Sequence, residues 1–214
     1  MKTDSNLCPV CEARTPLQRA FCGHCQTPVV VDTLQAVALW RLGEVRGQVL
    51  DGVRRAISRF LGLPVIVQPS FLDPRPSFRT GWNGNSATAF LNQVDRRSRR
   101  GTLFSVGITE ANIVPGADWN YLFGYAYLGM PSCVVSLHEM SSDRPGTALL
   151  VKRAAAVAIH EIGHNCGLDH HGYDEDIACV MTADTPLDCL ERLDEGTHEF
   201  CRACQRLVDR KLRR

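Results

Sequence analysis

Four histidines and one glutamate crowd the stretch AIHEIGHNCGLDHH, residues 158–171. Imidazole nitrogen is a favoured zinc ligand, and His160 and His164 stand four positions apart, so on a helix both project from one face within reach of a single ion. Glu161 follows the first histidine and falls beside such an ion, where a carboxylate can take a proton from water. Taken alone, two histidines on a surface helix account for H-E-x-x-H. The continuation to Gly167 and His170 does not fit that account: a glycine can adopt the left-handed conformation that ends a helix, and the returning chain then brings a third imidazole to the other two. Three protein ligands leave a fourth position for water, which marks a catalytic rather than a structural zinc site. The expected chemistry is hydrolysis, with zinc lowering the pKa of water to about 7 and Glu161 moving the proton to the leaving group.

A second set of metal-affine residues lies near the N-terminus. Cys8, Cys11, Cys22 and Cys25 form two C-x2-C knuckles separated by ten residues, the spacing of a closed four-thiolate zinc site. That segment is too short to bury a core, so metal binding must supply its folding energy. The reading is a zinc ribbon over residues 1–30 and one larger domain over 31–214, with His24 a bystander. The N-terminus, MKTDSNLCPVC, does not read as a secretory signal. The expected compartment is therefore the cytoplasm, where ten cysteines serve as ligands or buried thiols rather than disulfides. No segment approaches the about 20 apolar residues that span a bilayer, so no membrane partner is expected. With 24 basic and 23 acidic residues the net charge is +1, and nucleic acid is not an expected partner.

The elements that must position these side chains follow from periodicity. TALLVKRAAAVAIHEIGHNCG reads as a helix that stops at Gly167 and carries the histidines. Before it, residues 102–109, 120–128 and 132–140 read as strands, with Cys133 an ordinary buried thiol and His138 exposed at the end of the last. A helix is expected from Ser86 to Arg100, a short buried strand over VIVQ (residues 65–68), and a loop through PSFLDPRPSFRTGWNGNS. Apolar residues at three- and four-residue steps from Leu34 to Phe60 predict one long helix over residues 33–61. Strands followed by a helix, in a chain that is 44% apolar, indicate a layered α/β domain.

The eleven-residue pattern H-E-x-x-H-x-x-G-x-x-H, with Met181 downstream in CVM, resembles the metzincin clan of zinc peptidases. Within the clan it resembles the archaemetzincins, whose pattern runs H-E-x-x-H-x-x-G-x-x-H-C-x4-C-x-M-x17-C-x-x-C. The histidines, Cys179 to Met181 and the closing CRAC with Cys201 and Cys204 match, and SVGITEANIVPGADWNYLFGYA and CVVSLHEM resemble the family's strands, so the likeness covers about residues 60–205. The departures are His171 in place of the family cysteine, three more residues before Cys179, and nineteen rather than seventeen between Met181 and Cys201.

The resemblance implies an α/β zincin fold of the metzincin type: a mixed twisted sheet, an active-site helix and a tight turn placing Met181 as an apolar floor beneath the histidines. It implies a second, structural zinc on Cys179, Cys201 and Cys204 with His171, or else Cys189 or Cys166, as fourth ligand. With the ribbon, the zinc complement is one catalytic and two structural ions. It also implies that Tyr121 to Leu128 forms the edge strand above the metal, with Phe123, Gly124, Tyr125 and Ala126 binding an extended peptide. The implied activity is that of a zinc metallopeptidase acting on peptides or proteins. Hydrolysis of a non-peptide amide and a zinc-stabilised, non-catalytic binding module remain as the other readings.

Overall fold

AVALWRL, residues Ala36–Leu42, forms strand β1, almost wholly buried on both faces. It lies between β2 (Val65–Gln68) and β4 (Thr102–Thr109), parallel to each. The computed structural model describes residues 35–70, 84–98, 102–172, 178–182, 190, 193–194 and 199–213. The knuckle cysteines Cys8, Cys11, Cys22 and Cys25, the division into residues 1–30 and 31–214, and Cys189 lie outside them.

The expected helix over residues 33–61 is corrected: its first part is β1, and only Gly47–Leu61 is helical, as α1. Strands buried on both faces read as continuous apolar runs, and such a run fits a helical period as readily as a strand. Gly43, with φ of 79°, breaks the chain between the two elements. Gly62, at φ of 67°, ends α1 in the left-handed conformation, its N–H donating to the Ser58 carbonyl.

The main sheet has the order β2-β1-β4-β7-β6, with β7 (Ser132–Ser136) parallel to β4 and β6 (Gly124–Ala126) antiparallel to β7 at the edge. A two-residue parallel pair joins β3 (Asn85–Ser86) to β5 (Ile113–Val114). Both later strands are shorter than expected. Residues 120–128 join the main sheet only at β6, with Leu122 making a single bridge to Ile113, and residues 132–140 close in a 3-10 turn at Glu139–Ser141. Helix α2 covers Ala87–Arg97, capped by the Ser86 hydroxyl, which accepts from the Ala89 N–H.

Helices cover both faces of the sheet. Val37, Leu39, Phe104, Val106 and Val135 face α1 and α3 (Thr147–Asn165). Ala38, Trp40, Leu42 and Val134 face α2. At Gly52 of α1 a Cβ would stand 2.6 and 2.7 Å from the Val151 methyls, so the glycine lets α1 press directly on α3. The last helix, α4 (Arg202–Leu212), adds Cys204 and Val208 to the same core. No helix among the described residues is long and apolar enough to cross a membrane.

Candidate active site

Helix α3 ends as its sequence dictates. Gly167 takes φ of 90° and donates to the His164 carbonyl, while Leu168 donates to the Gly163 carbonyl. This paired closure satisfies the last carbonyls and turns the chain back. Leu168, buried in the core, anchors the return. His170 then meets the two helical histidines: Nε2 of His160 lies 3.0 Å from Nε2 of His170, and Nε2 of His164 lies 3.1 Å from each of the others.

The opposite ring nitrogens are already engaged. Nδ1 of His160 donates to the Val180 carbonyl at 2.6 Å, and Nδ1 of His164 donates to the Leu168 carbonyl at 2.8 Å. These bonds fix the tautomer, so each Nε2 turns a lone pair inward. Burial lowers the pKa of His160 to about 4 and that of His164 below its ordinary value, keeping both rings neutral. Two nitrogens bound to one tetrahedral zinc at about 2.0–2.1 Å stand about 3.3 Å apart. The three observed spacings fall close to that, and His170 leaves the cluster open on its exposed side.

Glu161 is 5% exposed on the face of α3 towards β6. Burial raises its carboxyl to about 8. Buried Cys133 of β7 lies close enough that the acid's charge adds to the burial that pushes its thiol up.

The CVM step lies against α3 at Gly163. Residues Cys179 to Thr182 make a tight turn in which the Thr182 N–H and hydroxyl both donate to the Cys179 carbonyl, at 3.2 and 2.9 Å. Met181 is fully buried beneath α3, and His171 donates its N–H to the Met181 carbonyl. Thus one turn holds Met181 under the helix and the Val180 carbonyl against His160.

Beside it the ligand atoms of His171, Cys179, Cys201 and Cys204 lie within 4.8 Å of one another. Nε2 of His171 is buried without a hydrogen-bond partner. Sγ of Cys179 accepts N–H groups from Cys201 at 3.2 Å and Met181 at 3.5 Å, bonds that suit a thiolate. Cys166 is not part of this group, and partial burial raises its thiol to about 11.

The edge-strand residues divide. Phe123 and Ala126 pack on the core shared with α3, and Phe123 also stacks edge-on against Tyr121. Tyr125 packs on the α2 side and against Tyr127. Gly124 lies against Glu161. The contributions of the Val180 and Leu168 carbonyls carry no residue-type signal in the sequence. Gly124 did carry one, since a glycine inside a strand pattern marks a close approach.

Comparison with known proteins gives this geometry its context. The model of peptidase family M54 matches residues 101–210, just over half of the chain. The chain belongs to peptidase family M54. It is 31% identical over 146 residues to the archaemetzincin of Thermococcus kodakarensis, covering 66% of this chain and 74% of that relative. The archaemetzincin of Methanopyrus kandleri is 29% identical over 168 residues, 78% of this chain and 89% of the relative. A crystal structure of archaemetzincin from Methanopyrus kandleri superposes with a TM-score of 0.69 at 25% identity, covering 85% of this chain and 97% of that one. The chain is thus a zinc metallopeptidase of the archaemetzincin family, with that family's α/β fold, and the reading as a non-catalytic binding module is set aside.

Proposed function

We propose that His160, His164 and His170 hold the catalytic zinc and that Glu161 is the general base in peptide-bond hydrolysis. The observation that carries this reading is the convergence of three Nε2 atoms at 3.0–3.1 Å while Nδ1 of His160 and of His164 is engaged by backbone carbonyls. The two inward lone pairs fixed by those bonds, with Nε2 of His170 at the same spacing, suit a cation. When bound, zinc supplies Lewis-acid activation of water and of the scissile carbonyl.

The chain's own residues do the rest. The Val180 and Leu168 carbonyls orient two of the rings. A cation held by the histidines would offset the burial that favours the protonated acid. As a carboxylate, Glu161 takes the proton of the attacking water and returns it to the nitrogen of the breaking C–N bond, so that acid and amine products leave with protons balanced. Among the described residues the outer edge of β6 has no strand partner in the sheet, and it suits an extended peptide added by backbone hydrogen bonds.

His171, Cys179, Cys201 and Cys204 form the set for a structural zinc, supported by the unpartnered Nε2 of His171 among three thiols. Cys8, Cys11, Cys22 and Cys25 take a third ion on the strength of their spacing, and a chain so rich in thiol sites suits the reducing cytoplasm.

The test uses a fluorogenic peptide chosen from a library digest by the zinc-loaded chain. Glu161→Gln is expected to lose at least about 100-fold in kcat with zinc per chain unchanged. Turnover within a few-fold of the parent removes Glu161 from the mechanism. A variant that loses zinc as well assigns the residue to the metal instead.

A further inference from the structure

Gly124 belongs to the edge strand, but it is not one of the glycines with positive φ, which among the described residues are Gly43, Gly62, Gly129 and Gly167. Its backbone therefore admits any residue, and the reason for a glycine lies in space. A Cβ built there would stand 2.4 Å from Oε1 of Glu161 and 2.8 Å from both its Cδ and its Cγ. The acid thus lies directly on the strand backbone. From Cγ outward its side chain occupies the volume that any side chain at position 124 would claim.

We infer that Gly124 is a positioning residue: its missing side chain holds open the seat of the Glu161 carboxyl between α3 and the edge strand. The inference rests on the reading of Glu161 as general base. Its content is separate, since it concerns what fixes that carboxyl in place. The strand on which a peptide is read to pair and the acid that moves the proton then share one contact, so the register of substrate and base is set by the same three residues of β6. A carboxyl displaced by about 1 Å, the shift that restores an ordinary contact, is expected to cost about 100-fold in rate, because proton transfer depends on reach. The histidines are untouched by this change.

The experiment makes Gly124→Ala in the full chain, alone and combined with Glu161→Ala, and measures zinc per chain, Tm and turnover of the fluorogenic peptide. With Glu161 present, Gly124→Ala is expected to lower kcat about 100-fold with KM within about twofold and zinc unchanged. It is also expected to lower Tm by about 2 °C or more. In the Glu161→Ala background the new methyl has the vacated space, and the same substitution is expected to leave Tm level or raise it.

Equal Tm losses in the two backgrounds, or a chain that fails to fold in both, overturn the inference, because the methyl then offends the strand and not the acid. Folding that fails only with Glu161 present supports it. Glu161→Gln, measured alongside, separates the two readings. A glutamine variant that still turns over removes the general base, and the Tm cycle still judges the contact. An inactive glutamine variant beside a Gly124→Ala chain keeping more than a third of its kcat overturns the positioning role alone.

Discussion

Gly163 lies between the two helical histidines, where a Cβ would stand 2.4 Å from Sδ of Met181 and 3.0 Å from Cε1 of Phe200. Both neighbours are buried, so an added methyl has no cheap escape. Gly163→Ala is expected to destabilise the chain by about 1–3 kcal/mol, seen by calorimetry as a Tm lower by roughly 2–10 °C. Combining it with Met181→Ala shrinks that increment, and an unchanged increment places the clash elsewhere. The three histidines were legible in the sequence because metal chemistry dictates residue type and spacing together. Gly163 was not, because its partner Met181 is 18 positions away and only the folded turn brings them into contact.

At the scale of elements, α3 is held by more than its apolar face. Arg153, fully buried, donates two bonds to Asp143 at 2.7 and 2.8 Å, two to Asp194 at 2.7 Å, and one to the Met140 carbonyl at 2.8 Å. One guanidinium thus ties the active-site helix to the loop before it and to the segment that leads towards Cys201. Hydrogen bonds from Arg153, helped by its charge, hold both carboxyls below the usual aspartate range. A carboxyl depressed in the folded state adds stability that is complete above its unfolded pKa of about 4 and is lost as pH falls through the lower folded value. Denaturant titrations from pH 6 to pH 2 should therefore show a steep acid limb below about pH 4. Arg153→Met should flatten that limb while lowering stability at neutral pH, and an unaltered limb assigns the acid sensitivity to other groups. The same scale shows where sequence reading failed. β1 is a seven-residue strand, apolar except for Arg41, whose neighbours β2 and β4 lie 23 and 60 or more residues further on, so pairing, not local pattern, decides its state. Gly43 and Gly47 in the middle of a 29-residue helix were the available warning. By contrast α3 was legible nearly to its ends, since alanine-rich propensity and a glycine stop agreed with its packing.

For the molecule as a whole, the question is how the three expected metal sites depend on one another. The histidine cluster and the cysteine cluster share the turn from Cys179 to Thr182: Cys179 faces one group, while the Val180 carbonyl orients His160 of the other. Loss of an ion held by the cysteine cluster should therefore reach the histidine cluster through that turn. His171→Ala is expected to bind one zinc fewer and to lose activity at least about tenfold, although His171 is not in the histidine cluster. The knuckle cysteines lie outside the described residues and are read as a site of their own from their spacing alone. Every residue that builds the two clusters, the floor and the edge strand falls between Phe123 and Cys204, and the family match begins at residue 101. Metal analysis of the full chain should give three zinc ions, and Cys8→Ser with Cys11→Ser should give two. With the ribbon read as a unit folded by its own metal, that double variant should keep kcat/KM on a short peptide within about twofold. A larger loss with both remaining ions in place makes the N-terminal segment part of the catalytic machinery, and independence confines its work to substrates long enough to reach it.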